Sequence, residues 1–271
     1  MHWSTVRIGI NAHLLSFEPT YRQAGVSRYI EALAHHLPEV APEDDVVLFT
    51  GPARSPESRF DGRLHWRHSR LPTARPPVRI GWEQGIAPVD VKRAGVDLMH
   101  FPVNVVSMVS TIPQVVTVHD LAFHHFPDQY PGMKQRYLKL MTRLAVSRAT
   151  RVIAVSEATR QDIISIHGCD PERVVTVPNG VGDEMRPLAE VAIAAFRREH
   201  ELPEQFFLFL GTLQPRKNLE RLLKAYAAIS AETDWPLIVA GAAGWKYERI
   251  FGLVKHLGLG DRVRFVGHVA G

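Results

Sequence analysis

Between residues 206 and 219 the chain reads FFLFLGTLQPRKNL, a stretch that narrows the fold more than any other. Residues 206–210 are five consecutive apolar side chains with no polar face, which suits a strand buried on both faces of a parallel sheet. Gly211 ends the run and residues 212–215 make a short turn. Leu219, Leu222, Leu223 and Tyr226 then recur at helical spacing, so a helix is predicted to begin at about 216–218. Arg216 and Lys217 are thereby placed at a helix N-terminus, whose free N–H groups and partial positive charge attract an anion, phosphate above all. As solvated charges opening an amphipathic helix they would also be unremarked.

The same alternation runs from the start of the chain. Apolar strands are predicted at 6–10, 46–50, 64–68, 96–101, 115–119, 151–155 and 174–177. Helices are predicted from Gly25, where Val26, Tyr29, Ile30 and Leu33 share a face, and over 133–147. A third is capped by Ser156 and closed after His167 by Gly168. A polar, proline-rich connection is predicted after Arg70, and residues 181–203, with Pro187 and Pro203, read as an inter-domain connection. From 206 a second series follows: strand, helix 216–231, strand 236–240, helix 246–258, strand 262–266. Strands alternating with helices predict α/β domains with doubly wound parallel sheets, whose ligands sit off the carboxyl ends of the strands. His119 and Asp120 lie at such an end, and Gly25 opens a helix after a strand and loop, where a backbone can approach a phosphate closely. The predicted organisation is 1–182, a connection over 183–203, and a partial second domain over 204–271. Three strands leave an open apolar sheet edge, which predicts self-association through it.

Composition removes several classes. No apolar run reaches membrane-spanning length, and the N-terminus MHWSTVRIGI lacks the layout of a secretory signal. Cys169 is the single cysteine, which excludes an intrachain disulfide and a cysteine metal cage. A cytoplasmic protein is expected. The net charge of +4 is concentrated: seven arginines between 54 and 79 face only Glu57 and Asp61, with Phe60, Leu64, Trp66 and Leu71 interleaved. That segment reads either as a solvated basic loop or as a peripheral contact with an anionic membrane or acidic partner. No nucleic-acid-binding motif accompanies the charge, so nucleic acid is not an expected partner. There is no Gly-x-Ser-x-Gly elbow, no His-Glu-x-x-His and no Walker A loop. The pairs His35-His36 and His124-His125 are adjacent, so the members of each point apart and make poor metal ligands.

Taken together, GVSRYIEAL, VHDLAF, VIAVSEAT, VVTVPNGV, FLGTLQPRKNL and VRFVGHV resemble, in order and spacing, the retaining glycosyltransferases of family 4. The resemblance covers nearly the whole chain and implies the GT-B architecture, two Rossmann-like domains facing each other across a cleft. It implies that Arg216 and Lys217 hold the diphosphate of a nucleotide-sugar donor, GDP- or UDP-linked, by charge-assisted hydrogen bonds as the sugar–phosphate bond breaks. By the same resemblance Gly25 is the loop glycine near that phosphate, and His119, with Asp120 beside it, faces the donor sugar. No metal cofactor is implied.

In the family a Glu-x7-Glu region follows the VGHV strand, and its carboxylates bind the sugar and the ribose; the present sequence contains no counterpart. Weak or no activity is therefore expected of this chain alone. The reading is transfer of a sugar to a glycan or lipid-linked acceptor with retention of configuration. A non-catalytic binding or assembly module, or another GT-B enzyme such as a sugar-nucleotide epimerase, are the alternatives.

Overall fold

The structure, a computed structural model, describes residues 5–17, 25–52, 57, 60, 62–182 and 185–269. The chain separates into two compact units, one running to Gly180 and the other from Val181 onward.

The first unit is built on a seven-stranded sheet in which every neighbouring pair is parallel. Its strands are β1 (Arg7–Asn11), β2 (Asp45–Thr50), β3 (Leu64–His68), β4 (Leu98–Phe101), β5 (Gln114–Val118), β6 (Arg151–Ala154) and β7 (Val174–Thr176). They lie in the order β3-β2-β1-β4-β5-β6-β7. The winding reverses between β1 and β4, the place where open α/β sheets leave a crevice for a ligand. All seven correspond to predicted strands; a strand covered on both faces is apolar through its middle, whereas the edge strand β3 leaves His65, Arg67 and His68 exposed. In β2, by contrast, Val46, Val47, Leu48 and Phe49 are all buried.

The helices of this unit are α1 (Gly25–Val40), α2 (Pro76–Gly81), α3 (Ala87–Arg93), α4 (Ala122–His125), α5 (Gly132–Arg148) and α6 (Glu157–His167). Ser156 caps α6 as predicted: its hydroxyl accepts the Thr159 N–H at 3.1 Å, and Gly168 ends the helix at φ 64°. The polar connection predicted after Arg70 is instead largely helical. Pro76 and Pro77 sit at the first positions of α2, where proline opens a helix. A π-helical segment, Trp82–Ile86, then joins α2 to α3 and buries Trp82 and Glu83.

The basic segment also departs from its expected exposure. Phe60 and Leu64 belong to a buried cluster with Ile10, Ile30 and Leu48, and Trp66 packs on Phe60 at 5.3 Å. Three of its apolar side chains thus go to the core, while Leu71 stays exposed. Arg67, Arg70 and Arg75 stay exposed, whereas Arg54, Arg59 and Asp61 lie outside the described residues.

The second unit carries α7 (Glu190–Glu199) and a three-stranded parallel sheet of β8 (Phe207–Leu210), β9 (Leu237–Ala240) and β10 (Val263–Gly267), in the order β10-β9-β8. Helices α8 (Leu219–Ile229) and α9 (Glu248–His256) cover one face. Phe207 and Phe209 turn toward that core, but Leu208 and Leu210 are 58% and 73% exposed. β8 is therefore an edge strand with one open face, not the doubly buried strand that its composition predicts. Residues of the stretch predicted as a connection form α7, and the Arg264 guanidinium donates to the carbonyls of His200 and Glu201 at 3.1 and 2.8 Å, tying the end of that segment to β10.

Candidate functional site

In the second unit the turn after β8 is held by the turn after β9. Gly211 N–H donates to Ala240 O at 2.9 Å, Leu213 N–H to Ala242 O at 2.9 Å, and Gly244 N–H to Leu213 O at 3.0 Å. The two turns press together so closely that a Cβ on Gly241 would lie 2.0 Å from Gly211 O, and Gly241 holds φ at 150°. Glycine is required there for contact and conformation alike. Residues Pro215–Lys217 form a 3-10 turn, and α8 starts only at Leu219, after Asn218 in the left-handed conformation (φ 54°). Arg216 and Lys217 thus precede the helix instead of forming its first turn. Both side chains are exposed, and the Lys217 methylenes fold back to within 3.9 Å of the position a Gly211 Cβ would take. Two cations, the end of β8 and the start of α8 are gathered at the carboxyl edge of a parallel sheet, an anion-favouring arrangement.

In the first unit His119 follows the last residue of β5. Its Nε2 lies 2.8 Å from the Pro102 carbonyl, which can only accept, so Nε2 carries a proton. The Tyr29 ring stands edge-on to His119 at 5.1 Å, and the Tyr29 hydroxyl is 3.1 Å from the Thr117 hydroxyl. The same Thr117 oxygen lies 2.9 Å from His100 Nε2. Burial, with a smaller contribution from His119, pushes the His100 pKa down to about 4, so that ring is neutral. Burial likewise raises the Tyr29 pKa, against the opposing Thr117 hydrogen bond. Asp120 accepts the Ala122 N–H at 3.1 Å, which holds the turn into α4. Gly25 is the exposed first residue of α1, and nothing in the protein lies within 4 Å of where a Cβ would be, so the protein's own packing does not demand glycine there.

A second polar group, absent from the predicted residues, sits at the carboxyl end of β1. Asn11 Nδ2 donates to Glu83 Oε1 at 3.0 Å, and Arg79 Nε is 3.7 Å from the same oxygen. Burial raises the Glu83 pKa, with Arg79 and Asn11 opposing. His13 Nδ1 is 2.8 Å from the Thr73 hydroxyl, and burial followed by Arg79 drives its pKa to about 3. Glu83 Oε2 and His13 Nε2 are buried with no hydrogen-bond partner among the described residues. The rule that singles out His119, a polar residue just past a strand end, applies equally to Asn11 and His13. Glu83 has no such mark, because it arrives on the π-helical segment that proline content disguised. A cavity of about 110 Å³, lined by Phe49, Arg67, His68, Ser69, Trp82 and Asp90, lies at the ends of β2 and β3 and includes none of the predicted site residues. Among the described residues no group of three or more His, Cys, Asp or Glu side chains could hold a metal ion.

Residues 24–185 match the family model for Glycosyltransferase Family 4, and residues 193–270 match that for Glycosyl transferases group 1. The chain is 28% identical over 158 residues to the O-antigen chain mannosyltransferase B of Escherichia coli, covering 57% of this chain and 42% of that protein. It is 34% identical over 133 residues to the D-inositol 3-phosphate glycosyltransferase 2 of Catenulispora acidiphila, covering 45% of this chain and 30% of that one. In fold it resembles Anabaena HepE, solved in complex with UDP and glucose, with a TM-score of 0.66 at 19% identity over 98% of this chain and 70% of that one. The chain spans less than half the length of the curated relatives it matches.

Proposed function

The chain belongs to glycosyltransferase family 4, and from that premise we propose that it serves the transfer of a sugar from a nucleotide diphosphate donor to a glycan or lipid-linked acceptor, with retention of configuration. The observation that carries this reading is the turn after β8, where Arg216 and Lys217 stand at the sheet's carboxyl edge within the region matched by the group 1 model. There they bind the donor diphosphate and stabilise it as it leaves. Their two positive charges offset part of the negative charge that the leaving diphosphate carries. His119, with Nδ1 turned to the ligand and Tyr29 fixing its plane, orients the donor sugar. Asp120 supports the turn beside it, and Gly25 lets the backbone approach the phosphate. Domain roles follow: 1–182 takes the acceptor, 183–203 connects, and 204–271 contributes to the donor site. The names of the relatives favour transfer over the epimerase and non-catalytic alternatives.

The protein acts on the cytoplasmic side, at the inner face of a membrane, with the exposed arginines of 54–79 supplying charge toward it. Among the described residues no helix is long and apolar enough to cross a membrane. A second contact is self-association through β8, favoured by its edge position among the described residues and by exposed Leu208 and Leu210.

Calorimetric titration with GDP, UDP and their sugars tests the donor site. Arg216→Ala/Lys217→Ala removes two charge-assisted contacts of about 1.5–3 kcal/mol each, so affinity should fall on the order of 100-fold or more. Binding that is indifferent to this pair of substitutions would refute the assignment.

A further inference from the structure

The cavity of about 110 Å³ at the carboxyl ends of β2 and β3 holds none of the groups assigned above to sugar transfer. Two buried aromatic side chains line its inner side, Phe49 of β2 and Trp82 of the π-helical segment, with ring centroids 5.9 Å apart. Four polar residues complete it: Arg67, His68 and Ser69 at the end of β3, and Asp90 on α3. His68 is fixed in place, with Nδ1 2.7 Å from the Thr50 hydroxyl and Nε2 2.9 Å from a Glu57 carboxylate oxygen. The Ser69 hydroxyl oxygen accepts the Leu71 N–H at 3.1 Å, which leaves its own proton to donate. Arg67 and Asp90 differ from these two. Neither side chain has an ion pair or a hydrogen bond with another described residue, and they do not pair with each other.

A guanidinium with its donors unused and a carboxylate with its acceptors unused supply both halves of what a sugar hydroxyl, donor and acceptor at once, asks of a site. One charge of each sign gives no net pull on a simple anion or cation. The cavity also lies on the same carboxyl edge of the sheet as His119. In the order β3-β2-β1-β4-β5 it is three to four strands from β5, about 14–19 Å at the usual strand spacing. A single sugar held at His119 does not reach that far, whereas a chain of several sugars laid along the edge does. We propose that this cavity is a second saccharide subsite, which holds a sugar of the glycan acceptor several units away from the reacting end. There Asp90 accepts from the sugar hydroxyls while Arg67 and Ser69 donate to them. The inference rests on the reading of the acceptor as a glycan, and adds to it where the far end of that glycan is held. A free amino acid would also match two separated charges, but nothing in it calls for a cavity in line with His119.

Titration of the whole chain with α-linked mannotetraose and with maltotetraose, each beside its monosaccharide, tests the subsite, with free glycine as the zwitterion. Calorimetry reads affinity, and the Trp82 indole N–H resonance, identified by its absence from Trp82→Phe, reads the place. One tetrasaccharide should bind at least tenfold more tightly than its monosaccharide and should shift that resonance. Asp90→Asn and Arg67→Gln should each weaken the tetrasaccharide about tenfold or more, as expected for a lost hydrogen bond to a charged group. Neither side chain is buried, so an unchanged melting temperature checks folding. UDP and GDP titration should be unaffected by both variants, because the donor turn belongs to the other compact unit, so the two sites fail or hold separately. Absence of tetrasaccharide binding, binding that is the same in parent and variants, or a Trp82 shift produced by glycine and not by saccharide would each overturn the proposal.

Discussion

Gly241→Ala is the substitution on which the reasoning about the donor turn is most exposed. The new methyl would meet Gly211 O at 2.0 Å, Gly211 C at 2.6 Å and Thr212 N at 3.3 Å, all backbone atoms that no rotamer change can clear. Relief requires the two turns to part by more than about 1 Å, since carbon and oxygen normally pack near 3.4 Å. Parting them puts at risk the hydrogen bonds from Gly211 to Ala240 and from Leu213 to Ala242, both 2.9 Å. Two such bonds are worth about 1 kcal/mol each, overpacking adds about 1–3 kcal/mol, and a side chain at this φ adds about 1 kcal/mol. A total of about 4–6 kcal/mol is a large share of the roughly 5–15 kcal/mol that holds a typical domain together. Hydrogen exchange read by mass spectrometry should show β8 and β9 deprotected while the strands of the first unit, a separate compact body, stay protected. Gly252→Ala is the matched control. It lies within α9 with nothing inside 4 Å of its Cβ position, and should stabilise by about 0.5–1 kcal/mol. A Gly241→Ala variant that loses less than about 1 kcal/mol, with unchanged exchange in both turns, would show that the close approach is not a constraint and that the turn is looser than the contacts imply.

Stability should fall in acid because His13 and His100 stay neutral when folded, with pKa values of about 3 and about 4 against 6.5 for an exposed histidine. Between those limits only the unfolded chain takes up the two protons, so stability rises with pH and is lost on going down from about 6.5. Lowering the pH to 4.5 should cost roughly 5 kcal/mol from the pair, and denaturant titrations across pH should show His100→Gln removing about half of that; an unchanged slope would count against burial as the cause. Tyr29→Phe keeps the ring against His119 and loses only the hydroxyl's contact with Thr117, so about 1 kcal/mol of stability should go while the His119 nitrogen resonances hold still. Tyr29→Leu should shift those resonances; if both variants leave them alone, Tyr29 does not fix the imidazole. Leu208→Lys/Leu210→Lys should abolish any concentration-dependent association seen by sedimentation velocity, at little cost to folding because both side chains already face out. Dimerisation that persists in that variant would exclude β8 as the contact.

Strand positions are legible in the sequence because parallel strands need apolar residues on both faces, and the helices α1, α5, α6 and α8 because their apolar residues return every three to four positions. Ser156 announces its cap, and Arg216 and Lys217 announce themselves as the cations after a strand end. The family motifs rest on the same local chemistry, so the order of residues alone displays them too. Other features depend on which segments meet in space. β8 shows it: five apolar residues promise burial on both faces, yet the sheet places it at an edge and leaves Leu208 and Leu210 in water. Phe60, Leu64 and Trp66, interleaved with arginines, look available to a membrane, but β2, β3 and α1 enclose them. The charged face of α5 lies in plain view in the sequence, but only the packing of Thr142, Ala145 and Val146 decides that Met133 and Leu140 must face outward. Asn11 and Glu83 are 72 residues apart, and neither signals the other. A local pattern determines which conformation a segment prefers; burial and pairing are properties of the contacts it finds, and those are set by the sheet order of the folded chain.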